Sequence, residues 1–275
     1  MDKETVFFIT GCSSGFGKEI ALECLRRGYR VAATARRIED LDYLAGDPSA
    51  LCLSCDVTKP ETIAAAAKKA DENFGSIDVL INNAGVQYSC DLDDFESDKA
   101  HRQVETNLFG PVYAGRELLP FLQKSKNGAI VNIASMSGIW GSDGAMFYGM
   151  TKAALDNFTL TLRNYFARRG YALRAMSVNP GVFRTDFRKK SLGRFFNYDK
   201  EYPHPGIVAV EILNCLETRK ELPFRLVLGP DSLERYELVM ARMRSDYELA
   251  RTIAINARPR KKFRSFWRRP RRPEF

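Results

Sequence analysis

Histidine is scarce in these 275 residues, with only His101 and His204. Any mechanism that needs an imidazole must use one of those two. No apolar run reaches the roughly 20 residues of a membrane-spanning helix. Met1-Asp2-Lys3-Glu4-Thr5 passes at once into a strand-like run, so no secretory leader is expected. The six cysteines (Cys12, Cys24, Cys52, Cys55, Cys90, Cys215) are scattered, and only Cys52 and Cys55 form a C-x-x-C. No second pair completes a zinc set, and Leu51–Val57 alternates as a strand does, placing the two thiols on opposite faces. The plain reading is two reduced cysteines on a buried strand, with no metal site and a cytoplasmic setting. Hydrophobic residues at 45% and charged residues at 28% exclude a disordered or collagen-like chain.

Charge of one sign is also missing from most of the chain. The formal excess is +8, yet Arg258–Phe275 alone holds nine basic residues and one acid. The remainder is electrically balanced. The basicity thus belongs to a tail and says little about the folded body.

Short apolar runs alternate with longer helical stretches. Strands are expected at Thr5–Thr10, Arg30–Ala35, Leu51–Asp56, Asp78–Asn82, Ala129–Ala134, Leu173–Val178 and Phe224–Gly229. Helices are expected at about Gly15–Arg27, Pro60–Phe74, Asp98–Lys124, Ala145–Arg169, Pro205–Glu217 and Asp231–Asn256, with a kink at Gly110-Pro111. Alternation of this kind means an α/β fold: a parallel sheet with helices on both faces. No internal repeat or mid-chain linker interrupts it, so 1–256 reads as one domain and 257–275 as a basic tail. A polar and aromatic stretch, about 183–202, stands outside the rhythm as a candidate lid.

The first strand ends in Thr10-Gly11-Cys12-Ser13-Ser14-Gly15-Phe16-Gly17 and opens a helix. Such glycines let a backbone turn tightly and approach a pyrophosphate, which the helix N-terminus attracts. The same letters also match G-x-S-x-G, an esterase elbow with Ser13 as nucleophile. That alternative needs an acid and a histidine, and Asp186 with His204 would have to serve. An elbow normally follows several strands, whereas this loop follows the first. The second strand ends in Ala35-Arg36-Arg37, with no acid to bond a free ribose 2′-hydroxyl. Two guanidinium groups in that place favour a 2′-phosphate, hence NADP(H) over NAD(H). A solvated arginine pair is the bland alternative.

Tyr148 and Lys152 are four apart in a helical segment and share a face. An ammonium beside a phenol favours the phenolate, which makes the tyrosine a usable acid/base near neutrality. Ser135 follows the fifth strand, where ligands of open parallel sheets sit.

Taken together, these motifs resemble the short-chain dehydrogenase/reductase superfamily, in its single-domain branch. Thr10–Gly17 is similar to the T-G-x-x-x-G-x-G loop, Asp56-Val57 to the adenine-contacting acid, and Asn82-Asn83-Ala84-Gly85 to N-N-A-G. Asn107, the Ser135–Tyr148–Lys152 set, and Asn179-Pro180-Gly181 with Val182 and Thr185 follow in register. The resemblance covers about residues 5 to 230. It implies a doubly wound Rossmann-type domain with a seven-stranded parallel sheet in order 3-2-1-4-5-6-7, and hydride transfer between a nicotinamide and a carbonyl or secondary alcohol.

Residue by residue, the resemblance makes Tyr148 the acid/base, Lys152 the holder of the nicotinamide ribose, and Ser135 the group that orients the substrate oxygen. Asn107 would position a water relaying protons to Lys152. Thr185 would hold the carboxamide end of the nicotinamide. Arg36 after Ala35 marks NADP preference in family terms. Met150 stands where the family has alanine and is expected to crowd the helix face.

The candidate substrate wall is apolar: Val86, Tyr88, Met136, Ile139, Trp140, Met146, Val182, Phe183 and Phe187. It suits a small hydrophobic carbonyl or alcohol and resembles hydroxysteroid and retinol dehydrogenases. Helices Asp98–Lys124 and Ala145–Arg169 resemble those with which the family dimerises, so a homodimer is expected. The tail mixes basic and aromatic residues that could touch nucleic acid or an anionic membrane. A solvated terminus is the plainer reading.

Overall fold

In the computed structural model, which describes residues 1–187 and 202–256, strands and helices alternate from end to end. The strands are β1 (Val6–Thr10), β2 (Arg30–Ala35), β3 (Ala50–Ser54), β4 (Val79–Asn82), β5 (Ala129–Ile133), β6 (Arg174–Pro180) and β7 (Arg225–Leu228). The helices are α1 (Gly15–Arg26), α2 (Pro60–Phe74), α3 (Ser97–Val104), α4 (Gly110–Leu122), α5 (Met146–Arg169), α6 (Gly206–Thr218) and α7 (Pro230–Asn256). All seven strands pair in parallel, in the order β3-β2-β1-β4-β5-β6-β7. The tail from 257 and the greater part of the expected lid lie outside the described residues. Met1–Tyr236 forms one compact unit, and from Glu237 the described chain is the rest of α7, a unit of its own.

The period-2 rule assigns each strand residue to one of two cores. Phe7 and Ile9 of β1 join Val31, Val79, Val131 and Met176 against α1 and α6, through Ile20, Cys24, Ile212 and Leu213. Phe8, between them, faces the other way with Ala32, Leu80 and Ile130. There it meets Ile63 and Ala67 of α2, and Leu118 and Leu122 of α4. Burying one such phenylalanine contributes roughly 1.5–3 kcal/mol, and truncating it to alanine costs about 3–5 kcal/mol. Strands buried on both faces need apolar side chains at every position, which explains the unbroken Val-Phe-Phe-Ile run. Cys52 packs against the first core and Cys55 sits in the second, on opposite sides of the sheet, and both thiols are free.

The expected helix Asp98–Lys124 is present as one helical run, Ser97–Leu122, with a π turn set into it just before the expected kink. α3 ends at Val104, a π turn occupies Glu105–Phe109, and α4 starts at Gly110. Pro111 directly follows the π turn, so the place where its ring breaks the regular hydrogen-bond ladder is also where the ladder changes its spacing. A side chain on Gly110 would come within 2.9 Å of Val57 Cγ2, so the glycine lets the chain pass close to β3's exit loop. The π turn accommodates an extra residue, and Asn107 lies within it, fully buried.

Candidate active site

The loops leaving the C-terminal ends of β1 to β6 surround one cavity of about 580 Å³. The β1 and β4 loops are bonded together. Thr10 Oγ1 accepts from the Asn83 and Ala84 amides at 3.0 and 3.1 Å. Asn83 Nδ2 donates to the Thr10 and Gly11 carbonyls at 3.0 and 2.9 Å. Gly11 adopts φ +74°, and a Cβ there would stand 2.8 Å from Ala84 Cα. Only glycine satisfies both demands.

Most of the expected cofactor residues line this cavity: Gly11, Ser13, Ser14, Gly15, Phe16, Arg36, Asp56, Val57, Asn83, Ala84, Gly85, Pro180, Gly181, Val182 and Thr185. Gly17 does not. It lies beneath the loop, where a Cβ would fall 2.4 Å from both Asn83 Nδ2 and the Gly11 carbonyl oxygen. Arg37 also stands outside. It lines a smaller neighbouring recess with Ser13, Arg36 and Asp40, and pairs with Asp40 at 2.5 Å. Of the two arginines, Arg36 therefore faces the main cavity.

Ser135, Tyr148 and Lys152 converge on the same cavity. Ser135 caps the short 3-10 turn Met136–Gly138, its Oγ accepting from the Ser137 amide at 3.1 Å. Its carbonyl accepts from Asn179 Nδ2 at 3.2 Å. Lys152 is buried, and Nζ donates to the Ile133 carbonyl at 2.6 Å. Burial lowers its pKa to about 8, while the negative field of Asp156 works in the opposite direction. Lys152 Nζ lies 5.6 Å from the Tyr148 ring centroid, and the Phe187 ring lies 5.8 Å from it on centroids.

Asn107 does not line the cavity. Its amide holds Val86 by two bonds of 2.8 Å, one to the N–H and one to the carbonyl, and also reaches Thr151 Oγ1 at 3.3 Å. A Cβ on Gly85 would lie 3.2 Å from Asn107 Oδ1 and 3.8 Å from Lys152 Nζ. Asn107 thus acts on the site by holding the Gly85–Val86 backbone beside Lys152.

Of the expected substrate wall, Val86, Tyr88, Val182, Phe183 and Phe187 line the cavity. Met136, Ile139, Trp140 and Met146 do not. Met136 is buried in the 3-10 turn, and apolar composition does not separate core from wall. Met150 crowds nothing, since it is 60% exposed. The cavity also takes in Cys55 of the C-x-x-C pair, and Thr58, Gln87, Arg102, Thr106 and Ser137, which the motifs did not single out. Arg102 and Thr106 are four apart in the helix that carries Asn107, so they share a face with each other, but no motif residue marked that face.

The esterase reading fails on geometry. Ser13 lines the cavity, but neither His101 nor His204 does. His101 Nδ1 is bonded to the Ser97 carbonyl at 2.7 Å, and His204 Nδ1 accepts from the Gly206 amide at 3.1 Å.

A doubly wound sheet with a glycine loop and a Ser–Tyr–Lys set on one cavity defines a dinucleotide-fold oxidoreductase. Comparison with known proteins gives the class its name. The family profile described as short chain dehydrogenase matches residues 5–193. Oxidoreductase BOA17 of Botryotinia fuckeliana is 34% identical over 250 residues, which span 83% of this chain and 90% of that one. A short-chain dehydrogenase from Streptomyces avermitilis superposes with a TM-score of 0.82 at 29% identity, covering 93% of this chain and 99% of the other. The closed form of serine dehydrogenase complexed with NADP+ gives 0.76 at 27%, covering 83% and 96%. The chain belongs to the short-chain dehydrogenase family and is an oxidoreductase.

Proposed function

We propose that the protein is an NADP(H)-dependent reductase of hydrophobic carbonyl compounds, with Tyr148 as its acid. The observation that carries this reading is the convergence of Ser135, Tyr148 and Lys152 on the cavity that also holds the glycine loop and Arg36.

The residues present fit a dinucleotide. Gly11 and Gly17 leave no room for side chains where the loop turns under the cavity floor. The N-terminus of α1, at Gly15, offers unpaired N–H groups and the positive end of its dipole to a pyrophosphate. Arg36 supplies a cation where a 2′-phosphate would stand, with no carboxylate at the end of β2 to repel it. Asp56 lines the cavity, fixed by accepting from Thr58 N and Oγ1 at 3.1 and 2.8 Å, and would hold the adenine end. When bound, the nicotinamide supplies the hydride.

The protein's own residues handle the proton. Tyr148 donates it to the carbonyl oxygen that Ser135 orients. The Lys152 ammonium, held against the Ile133 carbonyl, stabilises the negative charge left on the phenol oxygen. The aromatic and aliphatic wall of Val86, Tyr88, Val182 and Phe187 favours apolar substrates.

Fluorescence titration with NADPH and, separately, NADH tests the reading. Binding of NADPH much tighter than NADH is expected. Equal affinity would remove the NADP preference, and binding of neither would remove the cofactor site.

A further inference from the structure

The segment after β4 lies beside α3 and the π turn without joining the sheet. Two amide side chains, four residues apart, hold it. Asn107 grips Val86 at both its N–H and its carbonyl, each at 2.8 Å. Gln103 grips Tyr88 by one bond, the Tyr88 amide donating to Oε1 at 2.6 Å. Val86 and Tyr88 are alternate residues, and alternate amides of an extended chain face the same way. The two side chains therefore stand in for a neighbouring strand. Both are fully buried.

The two grips are unequal. Gln103 Nε2 is the one buried side-chain nitrogen or oxygen among the described residues with no hydrogen-bond partner. Gln103 therefore holds its neighbour through one polar end, where Asn107 uses both. Val86 is fixed, whereas Tyr88 is held at a single point. Both line the cavity, as does Gln87 between them.

We propose that Gln103 is a positioning residue for substrate selection: through the Tyr88 amide it sets how far the 86–88 wall reaches into the cavity, and hence how bulky a carbonyl compound fits. This rests on the reductase reading for what fills the cavity. No atom of Gln103 need touch the substrate, since Tyr88 carries the effect. Asn107 keeps the catalytic end of the segment in place while the Tyr88 end adjusts.

Two variants test the proposal. Gln103→Met keeps the side-chain volume and removes the acceptor for Tyr88. Gln103→Glu restores an acceptor oxygen. Three quantities are read on the full chain: backbone hydrogen exchange across 86–90 with NADPH present, NADPH affinity, and kcat/KM for 9,10-phenanthrenequinone relative to 4-nitrobenzaldehyde. The loss of one hydrogen bond predicts exchange about tenfold faster and a substrate ratio moved about tenfold in Gln103→Met, with NADPH affinity held within about twofold. Gln103→Glu returns both toward the wild-type values. Unchanged exchange in Gln103→Met overturns the proposal, whether or not either probe is turned over. So does a fall in NADPH affinity as large as the change in ratio, because that marks general loosening. A wild-type protein that binds no dinucleotide sinks the reductase reading, and the exchange comparison still judges the Gln103–Tyr88 link.

Discussion

The buried ammonium of Lys152 donates to the Ile133 carbonyl oxygen at 2.6 Å, joining the first turns of α5 to the end of β5. The pairing is with a neutral dipole, so the charge is held in place without being neutralised. Desolvation then dominates and brings the pKa from 10.5 down to about 8.

That depression carries a stability cost with a defined pH window. An amine whose folded-state pKa lies below its unfolded value destabilises the fold fully below the folded pKa, and the cost fades as pH rises toward the unfolded value. The difference corresponds to about 3 kcal/mol, offset by about 1 kcal/mol for the bond to Ile133. Lys152→Met should therefore be more stable than wild type at pH 7, and the gap should close between pH 8 and 10.5. Denaturant unfolding at pH 7 and pH 10 reads it. A gap of the same size at both would contradict the assignment of a depressed lysine.

Tyr148→Phe removes the phenol hydroxyl with its proton and keeps the ring. The ring stays against Phe187 and below Lys152. Turnover should fall at least about 100-fold, the usual share of general acid catalysis. NADPH affinity should stay within about twofold, because the ring is kept and the loop glycines, Arg36 and Lys152 are untouched. Steady-state kinetics and fluorescence titration on one preparation decide it, and retained turnover refutes the acid assignment.

Arg36→Ala should discriminate between the two nicotinamide cofactors. A charge-assisted bond to a phosphate contributes about 1.5–3 kcal/mol, so NADPH should bind roughly 10–100-fold more weakly. NADH, which lacks that phosphate, should change by less than about threefold. Arg37→Ala should do less, since Arg37 is already paired with Asp40. Equal losses for both cofactors in Arg36→Ala would place the guanidinium elsewhere on the dinucleotide.

The parts of this protein that were legible in its sequence are those encoded by neighbouring residues. Val6-Phe7-Phe8-Ile9 is apolar on both faces because β1 is buried on both, and glycine spacing marks the loop because Gly11 and Gly17 have no space for a Cβ. Tyr148 and Lys152 share a helix face by arithmetic. The π turn at Glu105–Phe109 was hidden, because one extra residue in a turn leaves the helical composition unchanged. The grips of Gln103 on Tyr88 and of Lys152 on Ile133 join residues 15 and 19 positions apart, which no local period reports. Met136 and Val86 are both apolar residues a few positions past a strand end, and only packing makes one core and the other wall.

Asp156 links the electrostatics of Lys152 to the position of Ser135. It is 1% exposed and accepts from Asn179 Nδ2 at 3.1 Å and from Arg225 Nε at 3.1 Å, with Ser177 Oγ as a third donor. Asn179 in turn donates to the Ser135 carbonyl. The same carboxylate raises the pKa of Lys152 against the pull of burial. Asp156→Asn keeps the shape and removes the charge. Without that charge the Lys152 pKa should drop below about 8, and the ammonium should be lost at lower pH. If reduction needs the ammonium, the alkaline limb of the kcat profile should move to lower pH by a measurable fraction of a unit. Stability should also fall by about 1–3 kcal/mol, since Arg225 and two buried donors lose a charged acceptor. A lower stability with an unmoved limb would mean that Asp156 only ties β6 to α5. A moved limb would show that Asp156, through its charge, keeps Lys152 protonated in the working range.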